Sequence, residues 1–445
     1  MKHNSSLLTR SAWIAGLGGF LFGFDTAVIS GAEKSIQQLF SLNGFWLGFT
    51  VAIALIGTIA GAIASGRPAD LFGRRKILMV IALLFLLSAL GASLSQTWYS
   101  ILVFRFLGGL SVGASSVIGP MYIAEISPAF KRGRLVILFQ LNVVTGILLA
   151  FLSNYIIALL TDQASWRWML GVQTLPAGIF FALLFAIPET PRWLVMKDKK
   201  KKAVEILERL GERDATAQVA AIEDSISSEK HIKSEILFTK KLKFPIILAI
   251  LVAFFNQFSG INAIMYYTPR IFEMAGLDRT SSLFQSVSIG FTNLVFTIVA
   301  LFIIDKVGRK KLLLIGSVGM VFMLMLVSLG FLLNRFGGAA VLAGLVGFIA
   351  FFASSQGAVI WVFISEIFPN RVRAKGQALG SFTHWLLAAL VSWVFPVIAA
   401  GSTQSTGMAF AFFALMMLLQ FFVVYFVFPE TKGKGLEQIQ NDLGL

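Results

Sequence analysis

Arg67-Pro68-Ala69-Asp70-Leu71-Phe72-Gly73-Arg74-Arg75-Lys76 is a short basic stretch, and it returns in altered form as Asp305-Lys306-Val307-Gly308-Arg309-Lys310-Lys311. Two further segments recur in the same order. Ile123-Ala124-Glu125-Ile126-Ser127-Pro128 comes back as Ile364-Ser365-Glu366-Ile367-Phe368-Pro369, and Pro188-Glu189-Thr190 as Pro429-Glu430-Thr431. All three separations are near half of the 445-residue chain. One such pair is within reach of chance, but three in one order mark an internal duplication.

Outward from these segments the chain is almost continuously apolar. About 20 residues at 1.5 Å rise cross a hydrocarbon core, so each long apolar run reads as a membrane helix. The runs fall at roughly 12–31, 46–65, 76–95, 98–124, 134–159, 167–187, 244–272, 282–304, 311–333, 339–365, 374–400 and 405–428. Hydrophobic residues make up 57% of the chain and charged residues 13%, about half the usual soluble share. A soluble domain could not hide that much apolar surface. The 43 Phe and 40 Gly fit a membrane bundle, where Gly lets helices approach closely.

The formal charge of +15 would suggest nucleic acid in a soluble protein. Here the basic residues sit in short loops, so membrane topology explains them and no nucleic-acid partner is expected. Arg67, Arg74, Arg75 and Lys76 share one loop. Lys131, Arg132 and Arg134 share another, Lys306, Arg309, Lys310 and Lys311 a third, and Arg371, Arg373 and Lys375 a fourth. With twelve helices these loops, the central linker and both termini fall on one side. The opposite loops hold mainly Lys34, Arg279 and Arg335. Positive residues favour the cytoplasm, so that side is expected to be cytoplasmic, in an inner membrane. The first apolar run, after Lys2 and Arg10, outlasts a signal-peptide core and has no convincing cleavage site, so it reads as a retained helix.

One polar stretch interrupts the helices, from about Glu189 to Lys243. It holds Lys199-Lys200-Lys201-Lys202 and then Ala203-Val204-Glu205-Ile206-Leu207-Glu208-Arg209-Leu210, whose apolar residues recur at helical spacing. Short amphipathic helices against the cytoplasmic face are expected there. The expected organisation is an N-terminal six-helix bundle (1–188), a linker (189–243), a C-terminal six-helix bundle (244–428) and a tail (429–445).

The motifs also carry a resemblance. Gly18-Gly19-Phe20-Leu21-Phe22-Gly23-Phe24-Asp25-Thr26-Ala27-Val28-Ile29-Ser30-Gly31, the Asp-Gly-Arg loops, Pro188-Glu189-Thr190-Pro191-Arg192-Trp193-Leu194 and the terminal Pro429 to Glu437 segment together resemble sugar porters of the major facilitator superfamily. The likeness extends to bacterial proton-coupled xylose and glucose symporters and covers essentially the whole chain. It implies an all-α membrane protein with the major facilitator fold: twelve transmembrane helices as two six-helix bundles, plus cytoplasmic amphipathic helices. It also implies a proton-coupled monosaccharide symporter working by alternating access, with D-xylose or a D-glucose-like aldose and a proton as its partners besides the lipid bilayer. A facilitative uniporter is the main alternative, and a sugar sensor a lesser one.

Charges inside a bilayer are costly and usually functional. Asp25 sits among apolar residues and Gly in the first helix, and Arg105 is the only charge within the fourth. Burial raises a carboxyl pKa and a nearby cation lowers it, so a small movement can load or release a proton. The resemblance makes Asp25 the protonated acid and Arg105 its partner. The competing role is a static ion pair that locks two helices.

A sugar needs amides that both donate and accept, and an aromatic platform for its C–H face. The seventh helix carries Asn256-Gln257-Phe258-Ser259-Gly260-Ile261-Asn262 and Tyr266-Tyr267. A straight helix would not align Gln257 with Asn262, but Gly260 permits a break. The resemblance places Asn256, Gln257, Asn262 and Tyr266 at the sugar. Asn256 stands where the family usually has Gln. It also places Gln140 of the fifth helix there, with Asn293 of the eighth as a further candidate. The alternative role of Gln140 is an interhelical hydrogen bond, and neighbouring Asn142 is a much weaker sugar candidate. Gly357 and Trp361 share a face of the tenth helix, where the resemblance makes Trp361 the stacking platform. Ala358 replaces a common Pro, which predicts a less kinked helix. His384, before Trp385 in the eleventh helix, stands where relatives carry Gln or Asn. It reads as a sugar ligand with pH sensitivity, or as a neutral His bonded to a neighbouring helix.

Phe22 is a candidate lid. The resemblance makes Asp70, Arg74, Glu125, Arg132, Asp305, Arg309, Glu366 and Arg373 gating charges at the helix ends; simple positive-inside topology is the other reading, and both can hold. The chain carries no phosphate-binding loop, and its three His are scattered at His3, His231 and His384. There is no cysteine and so no disulfide. No enzyme activity, metal or cofactor is expected, and a monomer suffices for the mechanism.

Overall fold

The computed structural model describes residues 5–161, 165–212, 214–231, 236–333, 338–369, 371–434 and 438–440. His3, Arg335 and Glu437 lie outside the described residues. Among the described residues, twelve helical spans are long and apolar enough to cross a membrane. In the first repeat they are built from α1 (Ser5–Leu39), α2 (Gly44–Ala64), α4 (Arg74–Leu94), α5 (Trp98–Ile126), α6 (Ala129–Leu160) and a sixth span broken into α7 (Ser165–Gly171) and α8 (Thr174–Leu183). Short α3 (Gly66–Phe72) precedes α4. In the second repeat they are α12 with α13 (Lys243–Phe258, Ile261–Met274), α14 (Arg279–Val307), α15 (Arg309–Leu333), α16 with α17 (Gly338–Ser354, Gln356–Glu366), α18 (Arg373–Ala399) and α19 (Thr403–Val427). Among the described residues there is no β-strand.

Local sequence fixes some of these helix ends. Thr97 and Ser100 form a reciprocal capping box at the start of α5, and Asp278 accepts the Ser281 N–H to start α14. The same bonds, with the Ser281 hydroxyl first, hold the Asp278 carboxyl below its ordinary pKa. α1 runs to Leu39, eight residues past the end read from the sequence, and so takes Glu33, Lys34 and Gln37 into the helix.

The linker folds as expected into α9 (Pro191–Met196), α10 (Lys200–Leu210) and α11 (Ala215–His231). Thr190 caps α9 with Pro191 in its first turn, where no intrahelical N–H is needed. Trp193, Leu194, Ala203, Leu207, Ala215 and Val219 bury one another between the three helices. The Trp193 indole N–H donates to the Asp70 carbonyl at 3.1 Å, which ties the linker to the first basic loop.

α16 and α17 do not form one straight helix, contrary to the reading from Ala358. Ser355 between them has φ −123° and ψ −87°, outside the helical region. Ser355 Oγ is bonded to the Phe351 carbonyl at 2.6 Å. The break therefore needs no Pro at position 358.

The chain divides into two compact units. One comprises residues 1–25, 57–147 and 170–233, the other 26–56, 148–169 and 234–445. The boundaries run through α1, α2, α6 and α7.

Candidate functional site: a buried ion pair and an amide cluster

In the first unit α5 brings Arg105 to Asp25 of α1. One guanidinium nitrogen, Nη1, donates to both carboxylate oxygens at 3.1 Å. The side chains are 2% and 6% exposed, so water screens the pair little. Arg105 Nε and Nη2 are buried and donate to no protein acceptor among the described residues. The pair is thus held through one nitrogen of a group with five N–H donors. Gly108, one turn along from Arg105, makes room for the carboxylate: a Cβ there would lie 2.6 Å from Ser88 Oγ and 3.3 Å from Asp25 Oδ1. Phe22 is half-buried and Gln140 exposed in the same unit. Asn142 is buried and donates to the Leu138 carbonyl of its own helix at 2.8 Å, which satisfies it locally.

In the second unit an amide cluster forms around Gln257. Gly260 adopts φ +85°, a left-handed conformation open to glycine, and separates α12 from α13. That break swings Asn262 back toward α12, where its amide donates to Gln257 Oε1 at 2.6 Å. Gln257 Nε2 donates to Asn256 Oδ1 at 2.9 Å and faces the His384 ring nitrogens at 3.1 and 3.2 Å. An N–H facing imidazole needs a ring nitrogen with a free lone pair, which the neutral ring has and imidazolium lacks. The His384 ring lies 4.9 Å from the Trp361 ring and 4.9 Å from that of Trp385. Trp361 is 39% exposed, unlike the buried His384 and Trp385, so an aromatic face stands open beside the amides. Gly357, one turn before Trp361, is half-buried and Tyr266 is buried. Asn293 is half-buried and makes no side-chain hydrogen bond among the described residues.

The duplicated motifs converge. Arg74 binds Asp70 at 2.9 Å and Glu125 at 3.1 Å, and the Thr190 hydroxyl donates to Glu125 at 2.6 Å. In the second repeat Arg309 binds Asp305 and Glu366, both at 2.9 Å, and Thr431 donates to Glu366 at 2.6 Å. Gly73 and Gly308 have φ of +104° and +102°, and a Cβ on either would come within 2.6 Å of the Glu189 or Glu430 carboxylate. Those carboxylates accept the N–H groups of Arg75 and of Arg309 and Lys310. Burial pushes the Glu189 carboxyl above its ordinary pKa, against backbone hydrogen bonds that lower it. The three repeated segments are thus one cluster made twice. Arg132 makes no ion pair among the described residues, and Arg373 donates to the Phe368 carbonyl at 3.4 Å.

The sequence profile of the family described as "Sugar (and other) transporter" matches residues 11–443. The chain belongs to the sugar transporter family. It is 37% identical to the arabinose-proton symporter of Bacillus subtilis, over 99% of this chain and 96% of that protein. It is 35% identical to the D-xylose-proton symporter of Escherichia coli K12, over 99% and 96%. A structure of the partially occluded inward-open conformation of the E. coli xylose transporter XylE superposes with a TM-score of 0.86 at 34% identity, covering 97% of this chain and all of that one. This sugar transporter is therefore a multi-pass membrane protein and not an enzyme. Among the described residues no group of three or more His, Cys, Asp or Glu could hold a metal.

Several residues of this sugar transporter escaped the sequence reading. Glu33 of α1 meets Arg270 of α13, and Gln356 of α17 meets Gln420 of α19. Glu33 was readable in principle: it lies eight residues after Asp25 in a helix otherwise free of acids.

Proposed function

We propose that this chain is a proton-coupled monosaccharide symporter that takes an aldose of the arabinose, xylose or glucose kind. The buried Asp25–Arg105 pair carries the reading. An ionisable carboxylate is costly in the bilayer and is usually kept there for a function, which proton coupling supplies. Protonation of Asp25 would cancel its attraction for Arg105, whose Nε and Nη2 already lack a protein acceptor among the described residues. The proton state of one carboxylate thereby changes what holds α1 to α5. One charge moved through 100 mV contributes roughly 2.3 kcal/mol to uphill sugar movement.

The sugar is held by the amides of Asn256, Gln257 and Asn262, by His384, and by the open face of Trp361, with Gln140, Tyr266, Asn293, Gly357 and Trp385 completing the set. Phe22 acts as lid. The charges at the repeated clusters, with Arg132 and Arg373, bias alternating access. Relatives named for arabinose, xylose and glucose share this length and family, which supports the substrate class. Two six-helix halves joined by the linker, both termini cytoplasmic and a monomer as the working unit complete the proposal.

The test is Asp25→Asn in energised vesicles. Uphill accumulation of labelled sugar is expected to vanish while sugar counterflow persists. Full accumulation in that variant would overturn Asp25 as the coupling acid, and an unmodified protein that never accumulates sugar would be a facilitative carrier.

A further inference from the structure

The far end of α1, opposite the basic loops, holds a second buried ion pair that the proton pair does not explain. Glu33 is 1% exposed, and both its oxygens accept from Arg270, at 2.9 Å from Nε and 2.7 Å from Nη2. This is the side-on, two-bond geometry that gives an Arg–carboxylate pair its directionality. Gln37, one turn further along α1, accepts from the same guanidinium. Beside it Lys34 of α1 pairs with Glu273 of α13. Arg279, at the start of α14, donates to Ser35 Oγ at 3.1 Å and to the Gly31 carbonyl at 3.4 Å. All of these residues belong to the second unit.

The partner segment on α13 is mechanically separable from the rest of its helix. Tyr267 has φ −120° and ψ 18°, a kink within α13, and Pro269 follows two residues later without an N–H to donate. Arg270 and Glu273 both lie beyond that kink. Asn262 and Tyr266, which the proposed sugar site uses, lie before it. A short helical piece hinged at Tyr267 thus carries two charges that meet two opposite charges on α1.

We propose that Glu33–Arg270, supported by Gln37 and by Lys34–Glu273, is an ionic latch that closes the end of the sugar path opposite the basic loops. Release of the latch swings residues 268–274 about the Tyr267 kink and opens that end. The inference rests on the transport reading above, but it concerns different residues. A buried pair of this kind is strongly disfavoured once one partner is removed, because the other charge is stranded. Two states that differ by the intact pair are therefore far apart in population, as a gate requires.

The chain has no cysteine, so Gln38→Cys on α1 and Ala275→Cys at the end of α13 give two unique attachment points for spin labels. Distances are read by pulsed electron resonance in purified, reconstituted protein. The latched protein is expected to show mainly one short distance. Glu33→Gln and Arg270→Gln should each raise the ratio of long to short distances by about tenfold or more. The doubly neutral variant Glu33→Gln/Arg270→Gln decides between a latch and a stranded charge. A latch stays loose without its pair, so the long distance persists. A return to the original short distance would overturn the proposal, as would single variants with an unchanged distribution. Glu33→Asp keeps the charge but shortens the reach, and should give an intermediate ratio if the doubly neutral protein does not fold. Failure of symport shows separately, as an unmodified protein that equilibrates sugar without accumulating it while the distances still move.

Discussion

His384 presents a ring nitrogen to the Gln257 amide N–H, and that contact defines what a replacement must supply. Glutamine offers an acceptor at similar reach, whereas alanine offers none and also removes a ring that packs on Trp361. His384→Gln is expected to keep the sugar dissociation constant within about threefold, and His384→Ala to raise it about tenfold, which is about 1.4 kcal/mol. Quenching of tryptophan fluorescence by sugar measures both. Equal losses in the two variants would remove hydrogen bonding at this position from the site. The choice between a sugar ligand and a neutral His bonded to a neighbouring helix was not legible from the residue type, since an imidazole serves either role. The neighbour that faces the ring is on another helix, 127 residues away, and only the fold brings it there.

Among the elements, the α12–α13 break shows what a sequence can disclose. Gly260 between two amides five residues apart pointed to an interruption, and the interruption is what joins Asn262 to Gln257. The far end of α1 was not legible. Lys34 and the polar run after it look like a loop, and the helix continues because Arg270, Glu273 and Arg279 neutralise or bond what those residues present. Helix ends set by distant partners leave no local signal. Gly260→Ala should be severe for two independent reasons. Its φ of +85° is strained for any side chain, and its Cβ would sit 2.4 Å from the Phe413 ring. We expect the melting temperature in detergent to fall by several degrees and sugar binding to weaken about tenfold or more. Phe413→Ala should not restore it, because the backbone strain remains. Full rescue would show that crowding alone matters.

Across the whole molecule, the repeat found in the sequence is a repeat of contacts. Glu125 and Glu366 each bridge an arginine and a threonine in equivalent ways, but the settings differ. Arg74 is 5% exposed and Asp70, its other partner, is largely in solvent. Arg309 is 11% exposed. Glu125→Gln therefore leaves the more deeply buried cation, and should lower thermal stability more than Glu366→Gln, by roughly 1 kcal/mol or more. Both changes should also shift the balance between states. Single cysteines introduced near the two ends of the sugar path would report it by their alkylation rates from each side of the membrane. Unchanged rates in both variants would make these clusters scaffolding only.

Each cluster takes all its partners from its own repeat: Asp70, Arg74, Glu125, Glu189 and Thr190 in one, Asp305, Arg309, Glu366, Glu430 and Thr431 in the other. The fastening is self-contained, like a buckle whose two halves are sewn to the same strap. The amides and ring proposed to hold the sugar on α12, α13, α17 and α18 are, in contrast, different residues from these fasteners. If the proposed site holds, such a chassis can be refitted for a different sugar by a few exchanges around Gln257 and Trp361 without being rebuilt.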